Sequence, residues 1–191
     1  MLNLKQPPLY FKIIILVAIV LVFTGGDLLV KELAARTLRH RPDVTVIPGF
    51  WSFHYTENKD IGFSMLRFLD SFFSRQGKFI LIVSLQLAGT FVAIGFFFHL
   101  KRWKYCLPLA LIISGGLGNV LDRIIRGYVV DYVKWYIGSF VWPIFNLADT
   151  YTVVGAFTLG VILFFFSKDL NEPEKNLPVE NTPPAEPPLS E

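Results

Sequence analysis

Four long apolar runs restrict the folds open to this chain more than any other feature of its sequence. Each run approaches the ~20 residues that a helix needs to cross the hydrocarbon core of a bilayer. Backbone groups in lipid must bond within their own segment, so such runs must be helices. The sequence therefore predicts a membrane all-α bundle of four transmembrane helices. The expected spans are about 11–33, 79–100, 105–126 and 148–167.

The composition agrees with a membrane protein and excludes several other classes. The chain has 191 residues, of which 53% are hydrophobic, and its net charge is only +3. It has no basic stripe interleaved with stacking aromatic residues, so we expect no nucleic-acid partner. Cys106 is the only cysteine, and His40, His54 and His99 share no ligand spacing. We therefore expect no metal and no other cofactor.

An even number of spans places both ends of the chain on one side of the membrane. The short basic connection at 101–104 predicts that this side is the cytoplasm. Asp27 near the end of the first apolar run, and the lack of a small-residue cleavage site after it, indicate a retained span rather than a removable signal peptide. Residues 1–167 form the expected membrane domain. The proline-rich segment 168–191 has no aromatic residue and is expected to be a disordered cytoplasmic tail.

The two connections on the opposite side differ in character. Residues 43–58 alternate between aromatic and polar side chains and are interrupted at Pro48, which is typical of paired strands. Residues 64–75 have apolar side chains at helical spacing, which suits either a short interfacial helix or an ordinary amphipathic packing element. We therefore expect a small β-cradle with a short interfacial helix at 38–76, on the side of the membrane that the family resemblance given below implies is periplasmic. The tyrosines and tryptophans of 126–149 predict an aromatic belt at the headgroup level.

Polar side chains at membrane depth are the functional candidates, because each costs a few kcal/mol to place there. Asp27 and Lys31 are four residues apart, which favours an ion pair within one helix. Asn119 and Asp122 share a helix face, and they suit either a polar network between helices or a direct role in a reaction. The candidates are Asp27, Lys31, Asn58, Asn119, Asp122, Arg123, Asp131, Asn146 and Asp149.

The glycine-rich segment 114–119 lies in the third span. A phosphate-binding loop would require a preceding strand and a lysine after the glycines, and the sequence has neither. We therefore expect these glycines to allow close packing of helices.

Asp131 and Asp149 stand at the two edges of the last outer connection. The third span runs outward toward Asp131 and the fourth begins near Asp149, so both residues should lie at the same membrane face. A loop of this length can bring the two carboxyl groups together, and such a pair shares one proton. One carboxyl can then activate water while the other polarises a carbonyl, as in aspartic proteases. The alternative is that Asp149 merely forms the N-cap of the fourth helix.

Two non-enzymatic functions remain open on the residues alone. A small transporter or channel would spread its charges through the depth of several spans or show paired inverted halves. Here the polar residues gather at one face, and no repeat is visible. A membrane assembly factor would use the same polar cluster only to hold its helices together.

Four segments resemble one known family in the correct order. "GGLGNVLDRIIRGYVVDY" at 115–132 and "FNLAD" at 145–149 resemble the signature of the bacterial lipoprotein signal peptidases (signal peptidase II). "GDLLVKELA" at 26–34 is similar to the family's first-span element, and "YTENKDIGFSML" at 55–66 to its outer-loop stretch. The likeness covers nearly the whole chain except the proline-rich tail.

The resemblance implies an activity and a set of roles. It implies an intramembrane aspartic endopeptidase that cleaves diacylglyceryl-modified prolipoproteins before the lipidated cysteine. It implies a location in the bacterial inner membrane, with the active site at the periplasmic face. The implied partners are membrane lipid and the signal peptides of prolipoproteins, and the implied oligomeric state is a monomer. Asp131 and Asp149 would be the catalytic pair. The residues that line or support the site would be Asn58, Asn119, Arg123, Asn146, Asp27, Lys31 and Asp122.

The outer loop departs from the family pattern at two positions. Asp60 stands where the family usually has glycine, and Gly62 stands where it usually has alanine. Glycine gives the backbone freedom that other residues lack, so the flexible point of this loop is shifted by two residues.

Overall fold

Four long helices dominate the computed structural model, which describes residues 8–59, 72–100 and 102–166. The helices are α1 (Leu9–Leu38), α2 (Arg75–His99), α3 (Cys106–Arg126) and α4 (Leu147–Phe166). All four are long and apolar enough to cross a membrane, which confirms the expected four-helix membrane bundle. The first helix is longer than predicted, because it continues to Leu38 instead of ending at about residue 33.

The third helix is the centre of the bundle and packs against each of the other three. Its glycines make this packing possible. A Cβ atom on Gly115 would collide with the Ala148 carbonyl and the Thr152 hydroxyl of α4, and one on Gly118 would lie 2.6 Å from an Asp27 carboxylate oxygen of α1. The predicted close-packing role of the glycine-rich segment is therefore confirmed.

A four-stranded antiparallel sheet covers one end of the bundle. The strands are β1 (Val44–Ile47), β2 (Trp51–Asn58), β3 (Val129–Ile137) and β4 (Phe140–Val141), paired in that order. The hairpin of β1 and β2, with its turn after Ile47, confirms the strands predicted on either side of Pro48.

The third strand differs from the prediction for 126–149, whose aromatic residues indicate only a belt at the headgroup level. It pairs with β2 so that Asp131 lies opposite Thr56 and Val129 lies opposite Asn58. This pairing brings together segments more than seventy residues apart in sequence, and a local pattern does not reveal such a partner. Its consequence is that the polar end of β2 reaches Asp131.

The sheet lies where α1 and α3 end and where α2 and α4 begin, so one end of the bundle collects most of the polar candidates. Gly127 allows the sharp exit from α3 into β3 by adopting a left-handed conformation with φ of 81°. The interfacial helix predicted at 64–75 falls mainly on residues 60–71, which lie outside the described residues. Its last residue, Arg75, begins α2.

Candidate active site

A reciprocal capping interaction fixes Asp149 at the start of α4. The Asn146 side chain accepts a hydrogen bond from the Asp149 amide at 3.0 Å, and the Asp149 carboxylate accepts one from the Asn146 amide at 3.2 Å. This is a capping box in which Asn146 is the N-cap and Asp149 occupies the third helical position. The alternative in which Asp149 is itself the N-cap is therefore wrong. One oxygen of Asp149 holds the helix end, and the other is available to the site.

Asp131 lies next to this helix end, held between two carboxamides. Its two oxygens accept hydrogen bonds from the side-chain nitrogens of Asn58 at 2.8 Å and Asn146 at 2.6 Å. The side chain is only 1% exposed. Burial, and then the nearby Asp149 carboxyl, raise the pKa of Asp131 to about 7, against the opposing effect of the two asparagine hydrogen bonds. At neutral pH this carboxyl therefore exists in both protonated and ionised forms.

The two carboxyl groups are linked by a short chain of amides. Asn119 donates to the second oxygen of Asp149 at 2.8 Å, and Asn146 donates to the Asn119 side-chain oxygen at 3.2 Å as well as to Asp131. Both aspartates line one cleft of about 360 Å³. The structure thus brings together the two residues that the sequence predicted to meet.

Lys31 determines which way the Asn119 side chain points. The Lys31 ammonium group donates to the Asn119 oxygen at 2.9 Å, so the Asn119 amide nitrogen must face Asp149. Lys31 also lies 2.8 Å from Asp27 and 3.6 Å from Asp122, and all three charged side chains are fully buried. The predicted Asp27–Lys31 ion pair is present, and it supports the site from behind.

The two supporting aspartates connect this ion cluster to the elements that carry the dyad. Asp27 accepts a hydrogen bond from the Ala148 amide in the first turn of α4 at 2.9 Å. Asp122 accepts one from the Val130 amide of β3 at 2.8 Å and contacts Arg126 at 2.7 Å. Each aspartate therefore fixes the backbone next to one of the candidate catalytic residues, and neither lies in the cleft itself.

Arg123 lines the cleft together with Gln86, which is not among the site residues predicted from the sequence. The Arg123 guanidinium donates to the Gln86 side-chain oxygen at 3.0 Å and to the Asn119 carbonyl at 3.3 Å. Gln86 lies on α2 within a predominantly apolar run. The rule that identified the other polar candidates would also have selected Gln86, because a carboxamide at membrane depth requires a partner.

Asn58 reaches the cleft from the end of β2. The loop that follows it, with Asp60 and Gly62, lies outside the described residues. The contact between Asn58 and Asp131 is nevertheless present.

The sequence of this chain matches a known protein family. The family model for Signal peptidase (SPase) II matches residues 16–165, which is most of the chain. The chain belongs to the signal peptidase II family. Its membership places it among proteases, and its four apolar helices make it a multi-pass membrane protein.

Relatives of this signal peptidase II member cover most of its length. A lipoprotein signal peptidase of Xylella fastidiosa (strain M12) is 41% identical over 130 residues, which is 65% of this chain and 73% of the relative. One from Xanthomonas axonopodis pv. citri (strain 306) is 36% identical over 154 residues, covering 78% of this chain and 85% of the relative.

Solved structures share the fold. A bacterial membrane enzyme determined by the in meso method at 2.3 Å resolution superposes with a TM-score of 0.69 at 24% identity, covering 89% of this chain and 97% of its own. A second, at 1.9 Å resolution, has a TM-score of 0.67, again at 24% identity, and covers 85% of this chain and 97% of its own. At this level of identity the likeness concerns the architecture alone.

Proposed function

We propose that this protein removes the signal peptide from diacylglyceryl-modified prolipoproteins by cutting the peptide bond before the lipidated cysteine. Membership of the signal peptidase II family and relatives named lipoprotein signal peptidase support this substrate. The observation that supports the reaction is the pair formed by Asp131 and Asp149, which line one cleft at the end of the apolar bundle. A lipid-anchored peptide presents its cleavage site near this level.

The reaction uses water and the two carboxyl groups. Asp131 in its protonated form donates to the scissile carbonyl oxygen, and Asp149 in its ionised form takes a proton from the attacking water. The resulting tetrahedral intermediate collapses when the Asp149 carboxyl gives a proton to the leaving nitrogen and Asp131 recovers its own, so the pair ends with the proton it began with. The hydrogen bond from Asn119 orients Asp149, and those from Asn58 and Asn146 orient Asp131.

The shape of the cleft suits a substrate that arrives through the lipid. Its walls come from α2, α3 and α4, with Gly89 on one side and Thr152 and Val153 on the other. We propose that the signal helix enters laterally between α2 and α4. A bilayer-level cleft exposes the reacting groups to little water, which strengthens their electrostatic interactions with the substrate.

The setting follows from the direction of the helices. The basic connection near Lys104 lies at the end of the bundle opposite the cleft, and we propose that this end faces the cytoplasm. The site then lies at the periplasmic face of the bacterial inner membrane, in contact with lipid. We also propose that the enzyme acts as a monomer, since one chain supplies both aspartates, and that residues 1–167 form the membrane domain while the tail at 168–191 takes no part in the chemistry.

A cleavage assay with the purified protein tests this function. A diacylglyceryl-modified prolipoprotein is incubated with the protein in detergent, and the masses of both products are measured. We expect a cut directly before the lipidated cysteine, with the same prolipoprotein lacking lipid as the control. Absence of cleavage of the lipidated substrate, or a cut elsewhere, would contradict the proposal.

A further inference from the structure

Gln86 lines the cleft but makes no hydrogen bond with either carboxyl group of the candidate catalytic pair. It lies on α2, whereas Asp149 lies on α4, and Asn119 and Arg123 of α3 stand between them. A carboxamide in an apolar helix costs free energy unless both of its polar ends find partners. The Gln86 side-chain oxygen accepts a hydrogen bond from Arg123, so the partner that needs to be identified is that of the side-chain nitrogen.

The neighbouring arginine fixes the orientation of this carboxamide. A guanidinium group has only donors, so the Gln86 oxygen must be the atom that faces Arg123, at 3.0 Å. The Gln86 side-chain nitrogen therefore points away from Arg123. Over residues 8–59, 72–100 and 102–166, no acceptor bonds this nitrogen. Two N–H donors are thus presented by a side chain that lines the cleft.

A bound signal peptide would supply the missing acceptor. A peptide bond cannot be attacked while it is part of a regular helix, so the segment around the cut must unwind. Its carbonyl groups then lose their helical partners, and leaving them unbonded in an apolar environment is unfavourable unless a new donor is found. A side chain with oriented N–H donors at this depth provides such a partner.

We propose that Gln86 is a substrate-binding residue whose side-chain nitrogen donates to a backbone carbonyl of the unwound signal peptide beside the scissile bond. This inference rests on the proposed function and adds a contact to it. The contact is with the backbone, so it does not depend on the side chains of the substrate. The hydrogen bond with Arg123 keeps the donor oriented before the substrate arrives, which reduces the entropy lost on binding.

Three variants separate substrate binding from a purely structural role. Gln86→Met removes both polar ends at nearly the same length, and Gln86→Glu keeps an acceptor for Arg123 but removes the donor. Gln76→Met, in the exposed first turn of the same helix, is the matched control. We expect both Gln86 variants to lose about 3- to 10-fold in kcat/KM, the factor given by one ordinary hydrogen bond, mainly through a higher KM. The control should match the parent.

Parent-like kcat/KM in the Gln86→Glu variant would overturn the inference, because Gln86 would then serve only to hold Arg123. Substrates with single amide-to-ester replacements supply a second test, since an ester carbonyl is a weaker acceptor. The penalty of Gln86→Met should shrink with the ester at one position near the cut. An equal penalty across the whole ester series would also overturn it. If the parent protein does not cleave the lipidated substrate at all, the proposed function fails first.

Discussion

Replacing Asp131 with asparagine should remove the dependence of stability on pH that this group causes, and it also removes a candidate catalytic group. Burial, and then the Asp149 carboxyl, raise the pKa of Asp131 from 3.8 to about 7. A rise of this size corresponds to about 4 kcal/mol. Because the folded protein holds a proton that the unfolded chain releases, stability from this group is full below about pH 4 and is lost as the pH rises through about 7. Asparagine cannot ionise, so the variant escapes this loss.

The thermal midpoint of unfolding in detergent measures the effect. Between about pH 4.5 and about pH 8, we expect the stability of the Asp131→Asn variant relative to the parent to increase by about 3 kcal/mol. For a chain of this size that is a change of about 6–12 °C in the difference between their Tm values. The value is an upper bound, because part of the burial relaxes when the carboxyl ionises.

Asp43→Asn provides the matched control, because the pKa of this exposed carboxyl is shifted in the opposite direction. The hydrogen bond from Lys134 lowers the pKa of Asp43, so the group stays ionised over the whole pH window. Measured in a His54→Gln background, which removes the imidazole that contacts the Asp43 carboxylate, the Tm difference between parent and Asp43→Asn should therefore be flat. If the difference for Asp131→Asn were equally flat, Asp131 would not titrate near neutral pH and its proposed role as the proton donor would be refuted.

Three further predictions concern the support, the packing and the chemistry of the site. Lys31→Met should reduce stability by about 3–5 kcal/mol, seen as a lower Tm, because it leaves Asp27 buried without its cation and leaves Asp122 with Arg126 alone. An unchanged Tm would contradict the buried cluster. Gly115→Val should also lower the Tm, because its side chain would collide with α4. Gly89→Val should keep the parental Tm and raise KM, because Gly89 lines the cleft and its side chain would narrow it. Equal effects of the two variants on Tm and KM would contradict the assignment of Gly115 to packing and Gly89 to the cleft. Excess EDTA should leave cleavage intact, because two carboxyl groups and water suffice for the proposed reaction. Within the described segments, no three His, Cys, Asp or Glu side chains lie close enough together to hold a metal ion. Loss of cleavage with EDTA that zinc restores would contradict this prediction.

The features predicted most directly from the sequence are those governed by local interactions. The four spans follow from the length of the apolar runs, because each helix satisfies its own backbone hydrogen bonds. The Asp27–Lys31 pair follows from a separation of four residues on one helix. The polar candidates followed from the cost of burying such groups in lipid, and the structure links most of them in one network.

The features that the sequence did not reveal depend on contacts between distant segments. Strand β3 forms because β2, more than seventy residues earlier, offers it a partner, and aromatic content alone does not distinguish a paired strand from an interfacial belt. The role of Asn119 depends on Lys31, which lies 88 residues away. The cost of a carboxamide at membrane depth could have marked Gln86 as a candidate, but its partner Arg123 lies 37 residues away and is not revealed by a local pattern.

Some expectations stay predictions. The interfacial helix at 64–75 and the effect of Asp60 and Gly62 on the outer loop concern residues mainly outside the described segments. The predicted tail at 168–191 also lies outside the described residues. A truncation after residue 167 that retained full cleavage would support the proposed domain boundary.

The most direct test of the account is single-turnover cleavage of a diacylglyceryl-modified prolipoprotein by the Asp131→Asn and Asp149→Asn variants. Each variant is first shown to insert and purify like the parent, because Asp149 also belongs to the capping box of α4. We expect both folded variants to leave the substrate uncut under conditions in which the parent cleaves it fully. Near-parental cleavage by either folded variant would contradict the claim that these two carboxyl groups perform the reaction.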